Sequence, residues 1–173
     1  MKSLPTIMVL LISMQLAAQT PDFSAICKSE MKQLEYMVGD WKGEAIVQTR
    51  NGPITVNQTE HIEWRLDGVL LAIEGTGKQN NEVTFNAIAI VNYNPYSKQY
   101  QFRSYTKEGN STDAYFKILE ANKFEWGFDI PSGGKVKYTI TLDPANKTWY
   151  ELGHYSPDGK TWMKSIEMNL VKL

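Results

Sequence analysis

The sequence predicts an all-β fold, an antiparallel up-and-down barrel of about ten strands with an N-terminal helix at one end. Three observations carry this. Beyond Gly39, apolar and polar residues alternate with a period of two. Turn signals then recur roughly every 8–12 residues, the spacing of a sandwich or barrel. No stretch of the chain is long and polar enough to act as a linker. A long meander with one apolar face closes on itself, because closure removes both unpaired edges.

Residues 1–19 read as a signal peptide. Lys2 precedes the apolar run Ile7-Met8-Val9-Leu10-Leu11-Ile12, and Ala17-Ala18-Gln19 supplies a small-residue cleavage site. The run is shorter than the roughly 20 apolar residues that span a bilayer. No later segment is a candidate span, so export to a periplasmic or secreted location is expected, with no membrane insertion after leader removal. From Asp22 to Met37 the spacing of Phe23, Ile26, Met31, Leu34 and Met37 is helical, and Gly39 stops the helix. The predicted strands cover 41–50, 53–66, 69–77, 83–94, 99–107, 111–119, 123–130, 135–143, 147–156 and 161–171. Cys27 is the only cysteine, which excludes an internal disulfide and reads as a half-buried thiol on the helix. Net charge is −1 with the basic residues dispersed, so neither nucleic acid nor an anionic membrane surface is an expected partner.

Turn chemistry fixes register, and register fixes which side chains face inward. Asn51-Gly52 is a two-residue hairpin signal that predicts Val47 opposite Val56 and Gly43 opposite Glu60. Asp67-Gly68 predicts Trp64 opposite Leu71 and Glu60 opposite Gly75. Glu120-Ala121-Asn122 and Ser132-Gly133-Gly134 predict Phe116 opposite Trp126 and Phe128 opposite Tyr138. Pro144-Ala145-Asn146 predicts Ile140 opposite Tyr150 and Val136 opposite His154, and Pro157-Asp158-Gly159 predicts His154 opposite Trp162 and Tyr150 opposite Ile166. On strand four, Phe85, Ala87, Ala89, Val91 and Tyr93 read as inward. The helix, Trp41, Trp64, Leu66, Tyr93, Tyr100, Ile118 and Phe124 then collect at a closed end. Thr106, Thr112, Ile130, Val136, His154 and Trp162 collect at a mouth.

Gly39-Asp40-Trp41-Lys42-Gly43 behind a short helix, leading into such a meander, resembles the calycin superfamily, and within it the nitrobindin-like and fatty-acid-binding-like barrels. The nitrobindin-type opening is Gly-x-Trp-x-Gly-x-Gly, and Ala45 stands where its last glycine would be. Ile62-Glu63-Trp64-Arg65-Leu66-Asp67-Gly68 and the hairpin Tyr155–Trp162 look more like exported lipocalin-like domains. The resemblance covers the chain from about residue 30 onward. It implies that 20–173 is a single lipocalin-like β-barrel domain that holds a small apolar molecule or, in nitrobindins, haem. It also implies a basic residue near the end of the last strand, where this chain has Lys172.

The expected function is non-catalytic binding of a small, largely apolar molecule in the barrel interior. Phe102, Trp126, Phe128, Tyr138 and Tyr150 would form the wall, with Gln58, Glu60 and His154 as polar anchors and Trp162 beside His154. A buried carboxylate is costly unless paired, so Glu60 is expected to meet Lys164, a hydroxyl, water or a ligand. A neutral His154 imidazole could instead ligate haem iron, and Glu60 could serve a lipocalin-like isomerase or hydrolase as acid or base. A filled barrel acting through its surface is the remaining alternative. No resident cofactor is expected outside the haem reading, and no catalytic residue is assigned. No Gly-x-Ser-x-Gly elbow is present. Two histidines read on opposite faces and one helical cysteine do not make a standard zinc site.

Overall fold

The computed structural model describes residues 21–131 and 133–173; the expected leader at 1–19 lies outside them. Asp22 caps the helix α1 (Phe23–Met31), its Oδ1 accepting from the Ala25 N–H at 3.0 Å. The helix was expected to run on to Met37, but Lys32–Met37 tightens into a 3₁₀ segment. In that geometry side chains three apart line up, which stacks Met31, Leu34 and Met37, each with no exposed surface.

Ten strands follow: β1 (Gly39–Thr49), β2 (Gly52–Arg65), β3 (Leu70–Gln79), β4 (Glu82–Asn94), β5 (Gln99–Thr106), β6 (Ser111–Glu120), β7 (Lys123–Asp129), β8 (Lys135–Asp143), β9 (Thr148–Ser156) and β10 (Met163–Lys172). Each pairs antiparallel with its sequence neighbours, and β1 pairs with β10 to close the barrel. Closure leaves no free sheet edge. It brings the β10 backbone against Gly43, where an added Cβ would lie 2.0 Å from the Asn169 carbonyl oxygen.

The helical segment seals one end. Trp41 donates from Nε1 to the Met37 carbonyl at 2.8 Å and packs edge-on against Trp149, ring centroids 5.5 Å apart. The Tyr100 hydroxyl donates to the Glu30 carbonyl at 2.8 Å. Lys172 lies under this floor, its ammonium 2.9 Å from the Tyr36 carbonyl oxygen and 5.1 Å from the Trp41 ring centroid. Cys27 is half-buried on α1 as expected, its thiol donating to the Tyr93 carbonyl at 3.4 Å. Leu66, expected at this end, is instead 70% exposed in a turn.

Several registers follow the expected turns. Trp64 pairs with Leu71, Glu60 with Gly75 and Phe116 with Trp126. Two differ by two residues and so keep their inner faces. The first hairpin turns at Arg50-Asn51, with the positive φ on Gly52, so Val47 pairs with Ile54 and Gly43 with Gln58. Phe128 pairs with Val136, because the Ile130 N–H bonds the Gly134 carbonyl, which moves the turn one residue toward the N-terminus.

The β8–β9 joint differs by one residue, and that reverses a face. Asp143 Oδ1 accepts from the N–H groups of Ala145 and Asn146, and the left-handed position falls on Lys147 (φ 55°) rather than Asn146. The loop therefore has four residues, and Ile140 pairs with Glu151, Val136 with Tyr155 and Lys137 with His154. Trp149, Glu151 and Gly153 turn inward, whereas Tyr150 and His154 turn outward. The next joint is longer than expected too. Asp158 holds its loop by accepting from the N–H groups of Lys160 and Thr161, and a bulge follows between Lys164 and Ile166. Trp162 stays in that loop, and Gly153, not Tyr150, meets Ile166.

Candidate functional site

The barrel encloses a cavity of about 480 Å³. Its aliphatic wall comes from β1, β2, β4 and β10, through residues such as Ala45, Val56, Ala89 and Met168. Its aromatic wall is a stack across β5, β7 and β8. The Trp126 ring lies between Phe102, centroids 4.6 Å apart, and Tyr138, centroids 4.0 Å apart, with all three planes within 14° of their neighbour. Phe128 continues the line 6.4 Å from Trp126. Trp126 and Tyr138 are cross-strand partners on β7 and β8, and Phe102 meets Trp126 across β6, whose residue opposite Phe102 is the small Ala114.

Against these walls stand a few polar groups. Gln58 and Glu60 occupy successive inward positions of β2, and Gln58 Nε2 donates to Glu60 Oε1 at 2.7 Å. Gly75 makes the space for this carboxyl: a Cβ there would lie 2.9 Å from both Glu60 oxygens. Glu151, on β9, accepts from two indoles, Trp126 Nε1 on one oxygen and Trp149 Nε1 on the other, each at 3.1 Å. Both carboxyls sit near the closed end. Glu60 is paired across the strand with Trp41, and Glu151 follows Trp149 on the inner face.

Burial pushes the Glu60 carboxyl up to about 8, against the lowering effect of the Gln58 hydrogen bond and with the charge of Glu151 adding to the rise. Glu151 is pushed up to about 7 by burial, against the pull of the two indole N–H groups. Burial and then the Glu151 charge raise the Tyr138 phenol to about 12. Lys164 is not the partner of Glu60; it pairs outside the barrel with Glu167 at 2.7 Å. A largely apolar chamber therefore holds, at neutral pH, a protonated acid able to donate and a second carboxyl fixed as an acceptor.

Of the residues singled out from sequence, Gln58, Glu60, Phe102, Trp126, Phe128 and Tyr138 line this cavity. Tyr150, His154 and Trp162 do not. Tyr150 is 37% exposed on the outer face, and the Trp162 ring lies outside with the Lys137 ammonium 4.6 Å from its centroid. His154 stands between Lys137 and Lys164 on the outer side of β9. His61, the other histidine, is exposed and bonded to Asp40. An iron inside the barrel therefore meets no imidazole, and the residues present do not fit the alternative of a His154-ligated haem. Glu151 and Trp149 were missed, both through the one-residue register change at β9. Gly43 was expected to make room for Glu60, but its place is set by the β10 backbone.

No protein-family model matches the chain, and no curated protein sequence does. Among solved structures, the crystal structure of Rv2717c from M. tuberculosis superposes with a TM-score of 0.61. The match covers 83% of this chain and 96% of that one at 7% sequence identity. At such identity the likeness is one of fold.

Proposed function

We propose that this protein is an exported calycin-type barrel that binds a small, largely apolar molecule in its interior without transforming it. The observation that carries this reading is the cavity. At about 480 Å³ it falls within the roughly 300–1,000 Å³ of small-molecule sites, and it pairs apolar walls with a few convergent polar groups as those sites do. A filled barrel working through its surface has no use for such a chamber.

Native mass spectrometry of the protein purified from its source tests the reading directly. The expected result is a non-covalent adduct, released on denaturation, whose readdition quenches the fluorescence of Trp126. Protein that is mass-clean and whose fluorescence ignores extracts of its source would overturn it. Export is tested by N-terminal sequencing of the mature protein, expected to begin near Thr20.

A second reading, a lipocalin-like isomerase or hydrolase, draws on Glu60, whose pKa near 8 suits an acid or base at neutral pH. Turnover lost in Glu60→Gln distinguishes an enzyme from a binder, which has only affinity to lose.

A further inference from the structure

We infer that the cavity selects amphipathic organic amines, with the ammonium group entering first toward Glu60 and Glu151 and the apolar body lying along the Phe102–Trp126–Tyr138 stack. This rests on the binding reading above and specifies its ligand class. The argument begins with charge. Among the described residues, the titratable side chains lining the cavity are Glu60 from β2, Glu151 from β9 and Tyr138 from β8; no lysine, arginine or histidine lines it. Lys164, the cation expected beside Glu60, pairs instead with Glu167 outside the barrel. Two buried carboxyls thus face a chamber to which the described residues bring no cation.

An anionic lipid would add a third acid to this space, where its charge meets no cation and faces any carboxylate already ionised in a low dielectric. A neutral ligand would leave both carboxyls as they are. An ammonium supplies the missing partner charge and can also lie against the faces of aromatic rings. The hydrogen bonding agrees with this assignment. Gln58 occupies Glu60 Oε1 only, which leaves Oε2 for a ligand donor. The two indoles hold Glu151 in an orientation suited to its ionised, acceptor form.

Binding of an ammonium favours the ionised form of the carboxyl it meets, so a proton leaves that carboxyl for solvent as the cation enters. Affinity for amines should therefore fall as pH drops through the range in which Glu60 and Glu151 take up protons.

The experiment compares three probes of matched shape, 4-phenylbutylamine, 4-phenylbutan-1-ol and 4-phenylbutanoate, by calorimetry and tryptophan fluorescence at pH 8. The amine is expected to bind about tenfold or more tighter than the alcohol, with the carboxylate weakest. Repeating the amine titration in two buffers of different ionisation enthalpy should reveal net proton release. In Glu60→Gln the amine should lose about tenfold while the alcohol changes little. Glu151→Gln serves as the second variant if the first does not fold. Equal or tighter binding of the alcohol or the carboxylate overturns amine selection and leaves the binding reading standing. Failure of all three probes, together with mass-clean protein from the source, overturns both.

Discussion

Gly75 decides how Glu60 sits. A methyl group at that position would meet both carboxylate oxygens at 2.9 Å, so Gly75→Ala should displace Glu60 and lower affinity for any ligand that touches it. Glu60 itself ties stability to pH. Its folded pKa of about 8 stands above the ordinary 4.5, so the native state holds this proton more tightly than the unfolded chain does. That contribution is complete below the unfolded value and is lost as pH rises through the folded one. The wild-type melting temperature should therefore fall between about pH 5 and pH 9, and Glu60→Gln should flatten the slope. At the alkaline end the variant should be more stable than wild type by on the order of 2–3 kcal/mol. Thermal melts followed by circular dichroism at three pH values decide it, and a wild-type melting temperature that does not vary with pH would sink the idea. Gly43→Ala acts by a different route. Its Cβ would overlap the Asn169 carbonyl, which is backbone and cannot step aside. The seam between β1 and β10 should weaken by roughly 3 kcal/mol or more.

At the scale of strands and turns, parity governs what a sequence reveals. The Asn51-Gly52 and Ser132-Gly133-Gly134 loops each differ from expectation by two residues, and Val47, Val56, Phe128 and Tyr138 still face inward. The loop after Asp143 differs by one, and it turned Tyr150 and His154 outward while concealing Glu151. A signal for it does exist in the chain. Asn94-Pro95-Tyr96-Ser97-Lys98 and Asp143-Pro144-Ala145-Asn146-Lys147 share one pattern. In both, the first side chain accepts from the N–H groups of the second and third residues beyond it, and the lysine adopts positive φ, 54° at Lys98 and 55° at Lys147. Lysine has no special tolerance for that conformation, whereas asparagine and glycine do, so residue preference alone pointed to Asn146. Lys98→Gly and Lys147→Gly should each stabilise the barrel by about 0.5–1 kcal/mol, the relieved strain exceeding the added chain entropy. Urea midpoints of the two variants provide the measurement, and a loss of stability in both would show that the lysine side chains hold the turns.

For the whole molecule, closure and the plugged end were legible because they depend on sums over many residues. The period of two, the unbroken meander and the apolar spacing of Met31, Leu34 and Met37 each survive local errors of register. The polar content of the chamber was less legible, since Glu151 depends on a single turn. That chamber also sets a conflict between stability and binding. Buried ionisable groups without a cation lower stability, and apolar replacements of similar size often raise it by about 1–4 kcal/mol. A barrel kept only for its fold would have no reason to carry Gln58 and Glu60 on an inner face that otherwise reads Ala45, Val47, Val56 and Ile73. The double variant Gln58→Leu/Glu60→Leu should accordingly fold, resist urea better than wild type at pH 8 by about 1–4 kcal/mol, and lose its preference for 4-phenylbutylamine over the matched alcohol. Stability and selectivity moving in opposite directions is the expected outcome. A variant that is less stable than wild type would instead make the Gln58–Glu60 hydrogen bond a structural strut, and the polar floor would then need no ligand to explain it.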